Sequence, residues 1–99
     1  MKGRRVRFLG AARAELREAV EFYDGRVSGL GDDFAAEIQR AVQQVGQHPN
    51  HGSPYLTGSR RVLLKRFPFS VVYQTVGDEV VIVAVVHQRR RPGYWLGRL

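Results

Sequence analysis

The sequence contains no cysteine, one methionine and one tryptophan. The absence of cysteine excludes a disulfide framework and any metal site built from thiolates, and it fits a reducing compartment. No stretch approaches the ~20 apolar residues that span a bilayer, and the basic N-terminus lacks the apolar run of a signal peptide. We therefore expect a soluble, cytoplasmic protein with no membrane partner.

Acidic residues are scarce in the second part of the chain. Residues 1–58 carry eight basic and seven acidic residues, whereas residues 59–99 carry eight basic and two acidic ones, an excess of six positive charges. A one-sided basic region of this kind is typical of proteins that bind nucleic acid or an acidic protein segment. The alternative is that these arginines are merely solvated.

The remaining composition is that of an ordinary folded protein. Of the 99 residues, 43% are hydrophobic and 25% are charged. A chain of this length supports one modest hydrophobic core and leaves little room for a second domain. We expect residues 1–99 to form a single domain.

Three runs near the C-terminus predict an antiparallel meander. They cover residues 61–66, 69–76 and 79–86, and the last two are rich in the β-branched and aromatic residues that favour strands. Pro68 has no backbone N–H for a strand ladder, so it marks a turn or an edge. Gly77 accepts the positive φ that begins a two-residue type II′ hairpin turn.

The first half predicts one strand and two helices. Residues 4–9 alternate charged and apolar side chains, with Val6 and Phe8 on one face of a short edge strand. Residues 11–24 and 31–47 repeat apolar residues at helical spacing. The order β-α-α-β-β-β predicts an α+β fold, in which a helical hairpin packs on one face of a mostly antiparallel sheet.

The other face of this sheet has no obvious cover. In the run 79–86, the residues that point to one face of the strand and those that point to the other are both apolar. Such a strand is normally buried on both faces. Either the tail after Pro92 folds back over this face, or a partner covers it. We take the mismatch as the main indication of a partner.

Two basic clusters are candidate binding sites for a target or a partner. Their members are Arg60, Arg61, Lys65 and Arg66 in the first cluster, and Arg89, Arg90, Arg91, Tyr94 and Trp95 in the second. Cations beside aromatic rings are typical both of single-stranded nucleic-acid sites and of protein interfaces. The clusters form one patch if their strands lie side by side, and two solvated clusters otherwise. Trp95 is equally suited to the core.

His87 is the candidate for acid–base chemistry. Cleavage of RNA through its 2′-hydroxyl needs a base, an acid and cations for the phosphorane charge. Arginine holds phosphate but stays protonated, whereas histidine titrates near neutral pH. The alternative is that His87 caps the last strand through a backbone hydrogen bond. His48 and His51 lack the neighbouring ligands of a metal site, so no metal or other cofactor is expected.

The ordered set of residues along nearly the whole chain resembles the RelE/ParE superfamily of type II toxins, in particular its ParE-like branch. The matching residues are Ala14-Glu15-Leu16, Phe22-Tyr23, Leu30-Gly31, Phe34, Pro49, Gly52, Arg60-Arg61, Phe67-Pro68-Phe69, Val71-Val72-Tyr73, His87, Arg89-Arg90, Pro92, Tyr94-Trp95 and Arg98. The resemblance implies a toxin that a cognate antitoxin with an acidic binding segment holds inactive in a hetero-oligomer.

The resemblance also implies a choice of target. ParE-like members act on DNA gyrase by binding, whereas RelE-like members cleave mRNA in the ribosomal A site with clustered basic side chains. Two basic positions of the RelE-like pattern are occupied here by Leu63 and Ser70. The candidate nuclease residues that remain are Arg61, His87, Arg89 and Tyr94. These departures favour the gyrase inhibitor, with an mRNA endonuclease and a non-catalytic nucleic-acid-binding module as alternatives.

Overall fold

Five strands form one sheet, and two helices cover one of its faces. In the computed structural model, which describes residues 3–99, the elements are β1 (Arg5–Phe8), α1 (Gly10–Arg26), α2 (Leu30–Gln47), β2 (Ser53–Pro54), β3 (Arg60–Leu63), β4 (Phe69–Val76) and β5 (Glu79–His87). The strand order is β1-β5-β4-β3-β2, with β1 parallel to β5 and every other pair antiparallel. The predicted α+β fold and element order are confirmed, with the two-residue β2 added ahead of the meander.

The helical hairpin buries the stripes that the sequence predicts. Phe34, Ile38 and Val45 of α2 are buried, as are Ala12 and Ala19 of α1. These side chains join a core cluster with the inward residues of the sheet. No helix of the described residues is long and apolar enough to cross a membrane.

The hairpin between β4 and β5 is confirmed. Val76 pairs with Glu79, and Gly77 has a φ of 59° at the first turn position. A register shift between Val72 and Tyr73 then changes which side chains of β5 face the helices. A bulge of this kind also increases the local twist of the sheet.

The first strand of the meander is shorter than predicted. It ends at Leu63; the next backbone N–H, that of Leu64, still donates to the Phe69 carbonyl at 2.9 Å, and the Leu64 side chain lies in the helix-side core. The backbone N–H of Lys65 then donates to Oε2 of Glu37 on α2, at 2.7 Å. Lys65 and Arg66 therefore lie in the connection between β3 and β4, where their backbone N–H groups bond to Glu37 of α2.

The C-terminal tail covers the second face of the sheet. Trp95 is 2% exposed and packs with Val72, Val83, Ala84 and Val86. Gly93 and Gly97 have φ values of 84° and 91°, and this left-handed backbone, readily accessible to glycine, lets the tail turn tightly. Of the two alternatives raised by the sequence, the tail rather than a partner covers this face, so the apolar mismatch in β5 does not by itself indicate a partner.

Candidate functional site

A small cleft opens where the tail meets the strands. Its volume is about 90 Å³, and we call it the tail cleft. The residues that line it are Tyr55, Arg61, Ser70, Val72, Val86, His87, Gln88, Arg90, Pro92 and Trp95. It therefore brings together one arginine from each of the two predicted basic clusters.

Both arginines of the tail cleft stack on aromatic rings. The guanidinium carbon of Arg61 lies 4.1 Å from the ring centroid of Tyr55, and that of Arg90 lies 4.1 Å from the ring centroid of Tyr94. Within residues 3–99 neither guanidinium has a carboxylate within 4.0 Å. Stacking fixes the plane of each cation and leaves its in-plane N–H groups available to an anion.

The other basic residues of the two clusters do not join this cleft. Arg60 donates to the carbonyl oxygen of Gly52 at 2.6 Å, and Arg66 contacts Asp33 of α2 at 3.5 Å. Lys65 and Arg66 instead line a separate groove between α2 and β3. The single continuous patch allowed by the sequence is absent from the described residues. Arg89, Arg90 and Arg91 are all exposed, and of these three Arg90 alone lines the cleft.

His87 ends β5 in a capping arrangement. Its Nδ1 accepts a hydrogen bond from the backbone N–H of Arg89 at 3.0 Å, and its ring lies edge-on to Phe69 with centroids 5.1 Å apart. This contact is the strand-capping alternative raised by the sequence. The imidazole also lines the tail cleft, so it contributes a polar wall beside Arg90.

The two positions where the RelE-like pattern has basic residues carry no charge. Leu63 of β3 pairs with Ser70 of β4, and the strand alternation places both on the tail side of the sheet. Leu63 is 53% exposed, whereas Ser70 is buried in the wall of the tail cleft. Arg61 is therefore the member of the first basic cluster that places a cation on this face for binding phosphate.

Tyr94 belongs to a cluster that the sequence did not single out as a site. We call Glu15, Tyr94 and Arg98 the edge clamp. The Tyr94 hydroxyl donates to Glu15 Oε2 at 2.5 Å, and Arg98 donates to both carboxylate oxygens at 3.0 Å. Periodicity places Glu15 off the apolar stripe of α1, so only the resemblance to known toxins marked Glu15 and Arg98.

The edge clamp fills a gap in the sheet. β1 pairs only with residues 79–82 of β5, which leaves the outer edge of the following residues without a strand. There the backbone N–H of Val85 donates to Glu15 at 3.0 Å, and the Val83 carbonyl accepts from Arg98 at 2.9 Å. The clamp therefore satisfies backbone groups that a longer β1 would have paired, and it ties the tail to α1.

Because Tyr94 is held in the edge clamp, we expect its hydroxyl to stay protonated far above neutral pH. Burial raises the pKa of Tyr94 well above its ordinary value of 10.0, and the hydrogen bond and negative charge of Glu15 raise it further. Such a phenol is a poor general base or acid near neutral pH. The folded state keeps a proton that the unfolded state loses above pH 10. The stability from Tyr94 is therefore complete below pH 10 and falls as the pH rises further.

Ultraviolet titration of the phenolate band tests this prediction. The Tyr94→Phe variant should lose the last ionisation step, and its stability should fall less steeply above pH 10. Tyr23 and Tyr73, whose pKa values burial also raises, remain as internal references. An alkaline profile identical to that of the wild-type chain would contradict the clamp.

The chain is similar to known toxins over most of its length. Residues 6–92 match the model of a family described as the ParE toxin of the type II toxin-antitoxin system parDE. The chain is 26% identical over 90 residues to Toxin ParE2 of Mycobacterium tuberculosis, an alignment that covers 90% of this chain and 86% of the relative.

Solved structures give the same fold. A chain of the chromosomal ParDE system from P. aeruginosa superposes with a TM-score of 0.78 at 23% identity, covering 85% of this chain and 95% of that one. A chain of the toxin–antitoxin complex RelBE2 from Mycobacterium tuberculosis gives a TM-score of 0.61 at 25% identity, covering 88% and 93%. With the family match over residues 6–92, the chain belongs to the ParE toxin family of type II toxin–antitoxin systems.

Proposed function

We propose that this toxin inhibits DNA gyrase by binding to it, in the cytoplasm, and that a cognate antitoxin with an acidic segment neutralises it. Gyrase is the target that the ParE-like resemblance implies. The observation that favours gyrase binding over RNA cleavage is that Leu63 and Ser70, on the tail side of the sheet, supply no cation. A function in plasmid stabilisation is proposed on the same resemblance.

The nuclease alternative receives less support from the geometry. Phosphoryl chemistry on RNA needs a base and an acid beside clustered cations. Nδ1 of His87 is engaged by the backbone of Arg89, and the hydroxyl of Tyr94 is held by Glu15. Arg61 and Arg90 can bind an anion but cannot carry protons near neutral pH. The site is therefore better suited to binding than to catalysis.

Two assays on the same purified chain distinguish these functions. We expect inhibition of gyrase supercoiling and, in a cell-free translation extract, no new cleavage of mRNA at the ribosomal A site. The product of the adjacent reading frame should co-purify with the chain and relieve the inhibition. A-site cleavage that is lost in Arg89→Ala, without any effect on gyrase, would replace this proposal by the endonuclease.

The non-catalytic nucleic-acid module predicts a different result. Binding to nucleic acid through phosphate contacts weakens steeply as salt rises, in proportion to the number of phosphates neutralised. Association of the toxin with a protein surface neutralises no phosphate backbone, so binding to gyrase should weaken less steeply as salt rises. Tight, salt-sensitive DNA binding by the chain alone would favour the module.

A further inference from the structure

The tail cleft holds two cations that the fold leaves without a counter-charge. In residues 3–99 the ion pairs are Arg7 with Glu79, Arg66 with Asp33, and Arg98 with Glu15, so most basic residues have no contacting carboxylate. What distinguishes Arg61 and Arg90 is that both line the same small cleft. Two uncompensated positive charges at a concave site raise the local potential and attract an anion.

The geometry of the cleft favours a planar anion. Stacking on Tyr55 and Tyr94 holds the two guanidinium groups by their faces and leaves their edges free. An edge-on guanidinium presents paired N–H donors that match the two oxygens of a carboxylate. Trp95, which is almost fully buried, forms an apolar part of the same wall.

The size of the cleft and its surroundings favour a protein side chain over a nucleic-acid strand. A volume of about 90 Å³ accepts one small anionic group and no stacked base. A nucleic-acid strand would need a track of cations along its backbone. Arg89 and Arg91 extend such a track next to Arg90, but the first cluster does not continue it beyond Arg61, since Arg60 is bonded to Gly52 and Arg66 faces α2.

We propose that the tail cleft is a receptor for a single aspartate or glutamate side chain in the acidic segment of the antitoxin. The proposal rests on the proposed function in naming this partner. Arg61 and Arg90 bind the carboxylate together, and Tyr55 and Tyr94 hold the two guanidinium groups in place. Because the edge clamp fixes Tyr94, it positions Arg90 for the same contact.

Nuclear magnetic resonance of the arginine Nε–H groups in the full chain tests the proposal. The probe is a short peptide of alternating glutamate and glycine, compared with the same peptide carrying glutamine. We expect the glutamate peptide to shift the signals of Arg61, Arg90 and the Trp95 indole, and the glutamine peptide to shift none. Equal shifts of all arginines, or equal binding of the two peptides, would overturn the proposal.

Matched variants sharpen the test. Arg61→Ala and Arg90→Ala should each weaken peptide binding about tenfold or more, the effect of losing one charged hydrogen bond. Arg89→Ala, the neighbouring exposed arginine, should change it little. Arg61→Lys and Arg90→Lys keep the charge but lose the planar pair of donors, so they should also bind more weakly. Unchanged affinity in these lysine variants would contradict a shaped carboxylate site.

Two further probes test whether the cleft prefers another anion to a carboxylate. Inorganic phosphate should compete weakly, and a short oligothymidylate should bind less tightly than the glutamate peptide. An oligothymidylate that binds more tightly through Arg61 and Arg90 would assign the cleft to nucleic acid and overturn the proposal. Because these titrations contain neither gyrase nor antitoxin, their failure would concern the cleft alone. Failure of the supercoiling assay would concern the proposed function.

Discussion

Replacing Trp95 by alanine is expected to lower the free energy of unfolding by about 3–5 kcal/mol, the range for removing a large buried aromatic side chain. Trp95 is the main cover of Val72, Ala84 and Val86 on the second face of the sheet. Its loss leaves a cavity and exposes apolar surface on β5. Urea denaturation followed by circular dichroism measures the change, and binding of a hydrophobic dye should increase.

Two controls accompany this variant. Leu96→Ala alters the neighbouring tail residue, which is 49% exposed, so its effect should be small. Trp95→Phe keeps an aromatic ring over the face and should recover part of the stability. A loss in Trp95→Ala no larger than in Leu96→Ala would show that the tail does not form part of the core.

Replacing Glu15 by alanine is expected to cost about 3–5 kcal/mol of unfolding free energy, as when one partner of a largely buried ion pair is removed. Only 17% of the Glu15 side chain and 22% of the Arg98 side chain are exposed. Without Glu15, the N–H of Val85, the hydroxyl of Tyr94 and the guanidinium of Arg98 all lose an acceptor. Thermal and urea unfolding measure the loss.

The exposed ion pair between Asp33 and Arg66 provides the matched control. More than half of each side chain is exposed, and Asp33→Ala should therefore cost less than about 1 kcal/mol. In the Glu15 variant we also expect faster hydrogen exchange at the Val85 amide. Similar losses in the two variants would mean that the edge clamp is no stronger than a surface pair.

The local patterns of the sequence predict most of the fold. The apolar stripe of α2 identifies Phe34, Ile38 and Val45 as core, because helical periodicity depends only on near neighbours along the chain. The turn at Gly77 is predicted for the same reason. The end of β3 is not predicted by local patterns, since the backbone N–H of Lys65 bonds to the distant Glu37 of α2.

The tail and the edge clamp depend on contacts between residues far apart in sequence. Glu15 and Arg98 are separated by 83 positions, and nothing in the local pattern of either residue signals the pairing. Their role also depends on β1 ending before β5 does, which is a property of the assembled sheet. The two apolar sides of β5 therefore predicted burial correctly, but they did not indicate that Trp95 would provide it.

The candidate site, like the fold, depends partly on local sequence patterns and partly on contacts between residues far apart in the chain. Alternation along the strands predicts that Arg61 and Leu63 share a face, whereas the position of Arg90 beside Arg61 depends on how the tail returns. Composition alone could not separate these two arginines from Arg60 and Arg66, whose contacts with Gly52 and Asp33 are visible only in the folded chain.

A supercoiling titration at several fixed gyrase concentrations tests the central claim most directly. If the toxin acts by binding, the toxin concentration for half-inhibition should rise in proportion to the amount of gyrase, and adding the antitoxin should restore supercoiling. Full gyrase activity in the presence of a large excess of folded toxin would contradict the account.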